Sequence, residues 1–581
     1  MTDWFGWLDL VWLEASASIR FWECCAVVLA IAVALVLPRG FDRVFQPLEA
    51  FFRKLAGRPV LSLLLISVAP VLLRLAVHPL LGTPQPSIHD EYSYLLAGDT
   101  FLHGRVTNPP DPFWKFFESF HTLQQPTYAS MYPPAQGIFL AAGSFLTGRP
   151  WAGVLLSMGL LCAALLWMLR GWLPPHWALL GASLAVLRLG LFSYWMNSYW
   201  GGAPGAIGGA LVAGSLPRIF RRQNPGDAVL FGLGLILLAA SRPLEGLLYS
   251  LPFGIALLVW LLRDRDLRDQ RIRQILPLCL VLLAGAGALA YYNWRVTGNA
   301  LETPQMLNIR LYSAQGLTYW SKAPPAHEYN NDTMRVFYLD RSLAFVDTPH
   351  SFLDVLKTLF IKAQVISYFY LGPVLAVPLI LAPSVLWNRK LGLPLLGALV
   401  LAVGHMCIAW AIRPHYFGPA ACSFYAVVVL AMSRLWEWKW RDRPLGRFLV
   451  RGIVAVTVAM VGVRVLARPL ELELQSTFLD WSASMPGDYD RAAVQSSLSS
   501  GPGKFLVIVR YANDHNIDRE WVYNEANLSQ AKVIWARDLG PETDALVRHF
   551  PDRQAVVVEP DRDPRATVPY RFTSGPAAQQ P

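Results

Sequence analysis

Apolar runs of roughly 17 to 23 residues recur along most of this chain, each long enough to cross a hydrocarbon core at about 1.5 Å per residue. A chain patterned in this way satisfies its backbone polar groups inside lipid by folding as helices. The runs lie near 22 to 38, 59 to 81, 150 to 169, 176 to 194, 203 to 217, 227 to 241, 246 to 262, 275 to 292, 369 to 387, 391 to 411, 416 to 433 and 448 to 466. They predict a mostly α, polytopic membrane protein with about twelve transmembrane helices. Composition agrees, with 54% of the 581 residues hydrophobic and 15% charged, against about 25% charged in an average soluble domain.

The net charge of +10 does not point to nucleic acid, because the basic residues recur in short connectors rather than in one aromatic-laced patch. RGFDRVFQPLEAFFRKLAGR, PRIFRRQ, RDRDLRDQRIR, NRK and SRLWEWKWRDRPLGR are rich in Lys and Arg, which assigns them to the cytoplasm. The alternate connectors then face outward: residues 82–149, the short SYWMNSYWGG loop, 293–368, and everything after about 467. YPPAQGIFLAAGSFLTG (132–148) is apolar but short and opens on Pro133 and Pro134. Reading it as a span would invert every later loop, so it is expected to lie in the outer interface. The six cysteines sit in or beside apolar runs, so neither disulfides nor cysteine metal sites are expected. The N-terminus lacks the pattern of a cleaved signal, and the first run is expected to be retained.

The expected organisation is an N-terminal segment 1–58 with one extra span, a transmembrane domain 59–467, an extracytoplasmic α/β domain 468–560, and a disordered tail 561–581. The α/β domain is read from strand-like runs KFLVIVRY, KVIWARDL and QAVVVEP, and the disorder from RDPRAT and GPAAQQP.

The sharpest chemical signal is the first outward loop, where Asp90 and Glu91 adjoin at the expected membrane edge. Neighbouring carboxylates there are costly unless used or paired. A helix from about Glu91 would turn Tyr92, Leu95, Leu96 and Phe101 toward lipid, with Asp90 at its N-terminus. Capping alone also explains acids at that position.

The arrangement of span, DE pair, interfacial helix, Pro-Pro segment (MYPPAQG) and a second interfacial helix resembles the GT-C membrane glycosyltransferases, such as protein O-mannosyltransferases and aminoarabinose transferases. The resemblance covers roughly residues 59–300. It implies a polyprenyl-phosphate sugar donor, an acceptor that is a glycan, lipid or protein, and inversion at the sugar carbon. It also implies a bacterial-type inner membrane with the site outside, and Asp90 as the general base that deprotonates the acceptor hydroxyl. For Glu91, three roles stay open: orienting Asp90, pairing with an arginine, or binding a metal. No cofactor is expected, and a divalent metal is left open.

Arg74, Arg188, Arg242 and Arg413 lie at the outward ends of four spans, against the charge bias. Guanidinium groups bind phosphate oxygens bidentately and stay charged at low dielectric. They form the expected donor-phosphate set, Arg413 first and Arg242 second, with His415 and Tyr416 beside them. Snorkelling or structural pairing, notably Arg242 with Glu245, is the plain alternative. Several relatives carry another acid in the next outward loop, and SYWMNSYWGGAPG has none. There Asn197, Tyr199 and Trp200, with Tyr132 of the first loop, are candidates to hold sugar or acceptor, an interfacial aromatic belt being the alternative. His89, His103 and His121 fit no compact metal motif and are expected to be structural. Asn293, Glu302 and Gln305 are weaker candidates in the third outward stretch.

Two other readings compete. A secondary transporter would place ionisable groups near the midplane, where His405 stands nearly alone. A catalytically silent scaffold, or a lipid-linked glycan ligase or polymerase of another fold, also matches the composition.

Overall fold

The computed structural model describes residues 19–36, 41–222, 224–263, 266–314, 316, 318, 327–342, 351–381, 391–408, 413–472, 479–483 and 487–572. Helices α1 (Ile19–Val36), α2 (Asp42–Ala56) and α3 (Pro59–Ala76) lead into a long loop that carries α4 (His89–Leu102) and α5 (Ala135–Thr147). Six helices then follow through short connections: α6 (Trp151–Trp172), α7 (Pro175–Leu189), α8 (Ala203–Arg222), α9 (Pro225–Ala239), α10 (Pro243–Leu262) and α11 (Arg268–Thr297). After a second long loop come α12 (Phe352–Tyr370), α13 (Gly392–Met406), α14 (Ala421–Glu437) and α15 (Leu445–Ala467).

Among the described residues, seven helices are long and apolar enough to cross a membrane, or eight if a bent pair counts as one. This is fewer than the predicted twelve. Helices stand at the remaining predicted positions, but α7, α9 and α13 have 15 residues each. At that length they rise about 22 Å, short of a core roughly 30 Å thick. α8 ends in the basic sequence RIFRR, which lowers its mean hydropathy. The run expected at 369–387 is also different. Its helix starts at Phe352, bends by 104° and continues as Gly372–Leu381, while 382–390 lie outside the described residues. The bend uses Gly372 at φ +60°, where a Cβ would fall 1.9 Å from the Arg188 guanidinium.

α4 and α5 cross closely. A Cβ on Gly98 would meet the Leu140 Cβ at 2.9 Å, and one on Gly137 would meet the Ala97 Cβ at 2.7 Å. The lipid-facing assignment of α4 is corrected. Tyr92 and Leu96 are buried, Leu95 is half-buried, and Phe101 packs edge-on against Tyr292 at 6.2 Å. The cause is cover on both sides, by α5 on one and by the C-terminal region on the other, where Tyr523 stacks on Tyr92 at 4.3 Å. Exposed apolar surface falls instead on α5, at Ile138, Phe145 and Leu146. α5 therefore carries the interfacial character.

The C-terminal region comprises α16 (Tyr489–Ser500), β1 (Lys504–Val509), β2 (Val533–Arg537), α17 (Thr543–His549), β3 (Arg553–Glu559) and β4 (Asp563–Pro569). Its sheet runs β2-β1-β3-β4, with the first three strands parallel and β4 an antiparallel edge. β1 and β2 are almost wholly buried, as their unbroken apolar runs require. β4 falls in the stretch whose composition predicts disorder. It is held by backbone pairing to β3 and leaves its side chains mostly exposed, so a polar sequence suffices. Phe116 and Phe117 of the first loop pack on Leu506, Ile508 and Ile534 of the sheet, which seats this region over the loop.

Candidate active site

The two adjacent acids enter different networks. Glu91, 1% exposed, has one carboxylate oxygen accepting the amides of Ser87 at 2.9 Å and Ile88 at 3.4 Å, and the other accepting the Tyr199 amide at 2.9 Å. It caps α4 and ties it to the SYWMNSYWGG loop. Burial raises its pKa to about 7 against the pull of those three amides. Both of its oxygens are thus engaged by backbone amides.

Asp90 faces the other way. Its Oδ1 accepts the Tyr132 hydroxyl, and its Oδ2 lies 3.1 Å from His89 Nε2 and 3.8 Å from His121 Nδ1. His121 Nδ1 is also 2.9 Å from the Tyr132 hydroxyl. That phenol has one proton and gives it to Asp90, so the geometry assigns the His121 proton to Nδ1, donating to Tyr132. Burial would raise the Asp90 pKa, but the His89 and His121 imidazoles, the Tyr132 hydrogen bond and Arg242 together hold it below the usual carboxylate range. Burial pushes His121 down to about 3 and also lowers His89. The carboxylate and the two imidazoles thus share charge as one set, in which the Tyr132 hydrogen bond and Arg242 favour the ionised carboxylate.

The loop that presents these groups is tightly fixed. His121 adopts φ +60°, an unfavourable conformation for a residue with a Cβ. It is held there by Ser93 Oγ and the Met131 amide donating to its carbonyl, and by its own amide donating to the Tyr338 hydroxyl. Tyr132 is stacked on Tyr94 at 4.4 Å, and Tyr292 donates to its carbonyl at 3.2 Å. His89 is boxed by Phe337 and Phe120, themselves stacked at 3.8 Å.

Of the four candidate arginines, two reach this site. Arg242 precedes α10 with its guanidinium 5.0 Å from the Tyr416 ring, and its charge acts on Asp90. Arg242 makes no ion pair within 4 Å with Glu245 among the described residues, yet the two charges act on one another. Arg413 precedes the Pro414–Ala420 turn, and its charge acts on His89. His415 lies between them, bonded to the Tyr194 hydroxyl at 3.0 Å and packed on Trp200 at 4.7 Å. A narrow cavity beside Arg242 is lined by Tyr94, Pro133, Gln136, Gly201 and Gly202. Gly201 has φ +67°, and a Cβ there would strike Gln136 at 2.3 Å.

The other candidates are placed elsewhere. Arg188 pairs with Glu23 at 2.8 Å, both side chains 1% exposed, and lies over the Trp481 ring at 4.6 Å. It anchors α1, which explains its position without any phosphate. Arg74 donates to Asn197 at 2.6 Å and to the Gly82 carbonyl at 2.7 Å. Asn197 spends its amide nitrogen on the Leu191 and Ser193 carbonyls, and Tyr199 spends its hydroxyl on Pro84. Asn293 and Glu302 make local contacts, to the Ala300 carbonyl and to Arg310 respectively, and Gln305 is half-buried beside them. His103 pairs with Asp99 on the surface. His405 is buried, its carbonyl accepting Lys362 at 3.2 Å.

Three groups went unrecognised as site components in the sequence. His89 and His121 join Asp90 to form a set whose ligand atoms all lie within 4.8 Å of one another. Two imidazoles and a carboxylate suit a divalent metal. Spacing concealed them because His121 arrives from a separate turn of the loop. Gln136 donates to the Tyr199 carbonyl, while its buried Oε1 has no hydrogen-bond partner. It follows two residues after the Pro-Pro pair, the only local signal that pointed to it.

No family model and no curated protein matches the chain. It is similar to the crystal structure of ArnT from Cupriavidus metallidurans bound to undecaprenyl phosphate, with TM-score 0.47 and 14% identity, covering 85% of this chain and 93% of that one. It is also similar to the Archaeoglobus fulgidus oligosaccharyltransferase in complex with Zn and sulfate, with TM-score 0.42 and 11% identity, covering 77% and 60%. A third similar structure is AglB from the same organism in complex with an inhibitory peptide and a dolichol-phosphate, with TM-score 0.42 and 10% identity, covering 86% and 69%. Likenesses of this size leave the chemistry to the side chains themselves.

Proposed function

We propose that this protein is a membrane glycosyltransferase that moves a sugar from a polyprenyl-phosphate donor to an acceptor hydroxyl at the extracytoplasmic face of a bacterial-type inner membrane, with inversion. The observation that carries this reading is one buried carboxylate, Asp90, held by the Tyr132 hydroxyl, on which the charge of Arg242 acts while that of Arg413 acts on the adjacent His89.

In this mechanism the acceptor oxygen attacks the anomeric carbon as the bond from that carbon to the phosphate oxygen breaks. The electron pair leaves with the lipid phosphate, and the acceptor proton passes to Asp90. A carboxylate with a depressed pKa is a weak base, so it suits a proton that becomes acidic late, once the new bond is forming. Tyr132 and His89 hold the carboxylate in place. Arg242 and Arg413, with Tyr416 between Arg242 and His415, stabilise charge on the departing phosphate. Glu91 fixes α4 and thereby the aim of Asp90.

The test is transfer by purified wild type and Asp90→Asn from a panel of polyprenyl-phosphate sugars. Loss of the base should lower the rate by roughly 10²–10⁴-fold with donor binding retained. Undiminished transfer by the variant would overturn the assignment.

A further inference from the structure

A second cavity, of about 50 Å³, lies behind the 82–88 linker and shares no lining residue with the one beside Arg242. A single water needs roughly 10–15 Å³ on this measure, so the space suits one tetrahedral oxyanion and not a sugar ring. Arg74, Asn197, Arg464, Ser482 and Tyr489 line it together with Gln85, and among the described residues no Asp or Glu lines it.

Arg74 comes from the last turn of α3 and Arg464 from the last turn of α15. A cation at a helix C-terminus is favoured by the dipole, which accounts for one arginine at each end but not for their convergence on one space. Nor does it account for what they leave unmade. Arg74 is 1% exposed, yet among the described residues its Nη1 has no hydrogen-bond partner, and neither has the buried Ser482 hydroxyl. Arg464 spends Nε on the Ser482 carbonyl at 2.8 Å, and among the described residues neither arginine forms an ion pair. A buried and a half-buried guanidinium with no counter-charge among the described residues are costly, and an anion would relieve both. Arg468, one turn beyond Arg464, is exposed and donates to the Leu80 carbonyl beside the cavity wall, which adds a positive field at the approach.

We propose that this cavity is a second anion site, which takes the phosphate group of a ligand at the membrane surface, separate from the Arg242 and Arg413 pair. Two guanidinium groups from different helices and a hydroxyl match the several oxygens of a phosphate better than the two of a carboxylate. The phosphate belongs either to a lipid headgroup or to a free ion.

The test uses the full chain in phosphatidylcholine nanodiscs, with Arg242→Gln/Arg413→Gln as background so that the proposed donor site does not contribute. Thermal protection and equilibrium binding are read with inorganic phosphate, and separately with phosphatidic acid added to the nanodisc. Saturable protection by either probe is expected, and Arg464→Gln on that background should weaken it roughly tenfold or more. Arg464 is chosen because it is half-buried, whereas Arg74→Gln disturbs the Asn197 contact. Protection by phosphatidic acid alone identifies a lipid source, and protection by inorganic phosphate identifies a site that needs no lipid. Absence of protection by both probes, or protection that survives Arg464→Gln, would overturn the proposal. Because the readout is binding and not transfer, a failed Asp90 assignment leaves this result interpretable.

Discussion

The Glu91 carboxylate accepts the backbone amide of Tyr199, 108 positions away, at 2.9 Å, which ties the helix that carries Asp90 to the loop after α7. Burial raises the Glu91 pKa from 4.5 to about 7. Between those values the native state binds a proton that the unfolded chain has released, so the Glu91 contribution to stability falls as pH rises across that window and is flat above it. Glu91→Gln removes the titration and also replaces an acceptor with an amide group facing the Ser87 and Ile88 donors. The variant should be less stable than wild type by about 1–3 kcal/mol near the acid end and should recover part of that gap as pH rises toward 7. Paired thermal unfolding curves across this range test it, and a gap that stays constant with pH would contradict the raised Glu91.

Tyr132 supplies the hydrogen bond that helps keep Asp90 ionised. Tyr132→Phe removes a donor to a charged group, an interaction worth about 1.5–3 kcal/mol, so the Asp90 pKa should rise. The acid limb of kcat/KM should move up with it while donor affinity changes little. An acid limb that stays in place would show that Asp90 does not set it.

The helix positions were legible because a run of apolar residues needs no tertiary information to be read. Which of them cross the membrane was not, since α7 and α9 have only 15 residues each. Asp90 was legible as an acid out of place. The separate fates of Asp90 and Glu91 were not, because one residue turns a helix by about 100° and only tertiary packing shows what each face meets. Tyr92 and Leu96 were misread for the same reason, as a cover of Tyr523 and its neighbours lies some 430 positions downstream. Arg242 and Arg188 look equivalent in sequence, each an arginine at the end of a span. They differ because Glu23 comes to Arg188 from α1 at 2.8 Å, while among the described residues the Arg242 guanidinium has no carboxylate within 4 Å and feels Glu245 only at longer range.

That difference separates two outcomes for the donor. Arg242→Ala and Arg413→Ala should each weaken polyprenyl-phosphate binding by roughly tenfold or more, the worth of a lost charge-assisted hydrogen bond, with small effects on melting. Titration of purified variants with polyprenyl phosphate tests this, and unchanged affinity in both would leave them as structural cations.

Arg188→Ala should do the reverse. It strands the Glu23 carboxylate among Trp481 and the α1 contacts without a counter-ion, and breaking such a pair costs about 3–5 kcal/mol. Because Glu23 and Arg188 are each 1% exposed, water cannot readily replace the lost partner. The double variant Glu23→Gln/Arg188→Met removes both charges and should regain much of the stability, since a buried pair is often no better than an apolar substitute. Donor KM should remain at the wild-type value in the double variant. A raised donor KM there, with melting restored, would move Arg188 back among the groups that hold the phosphate.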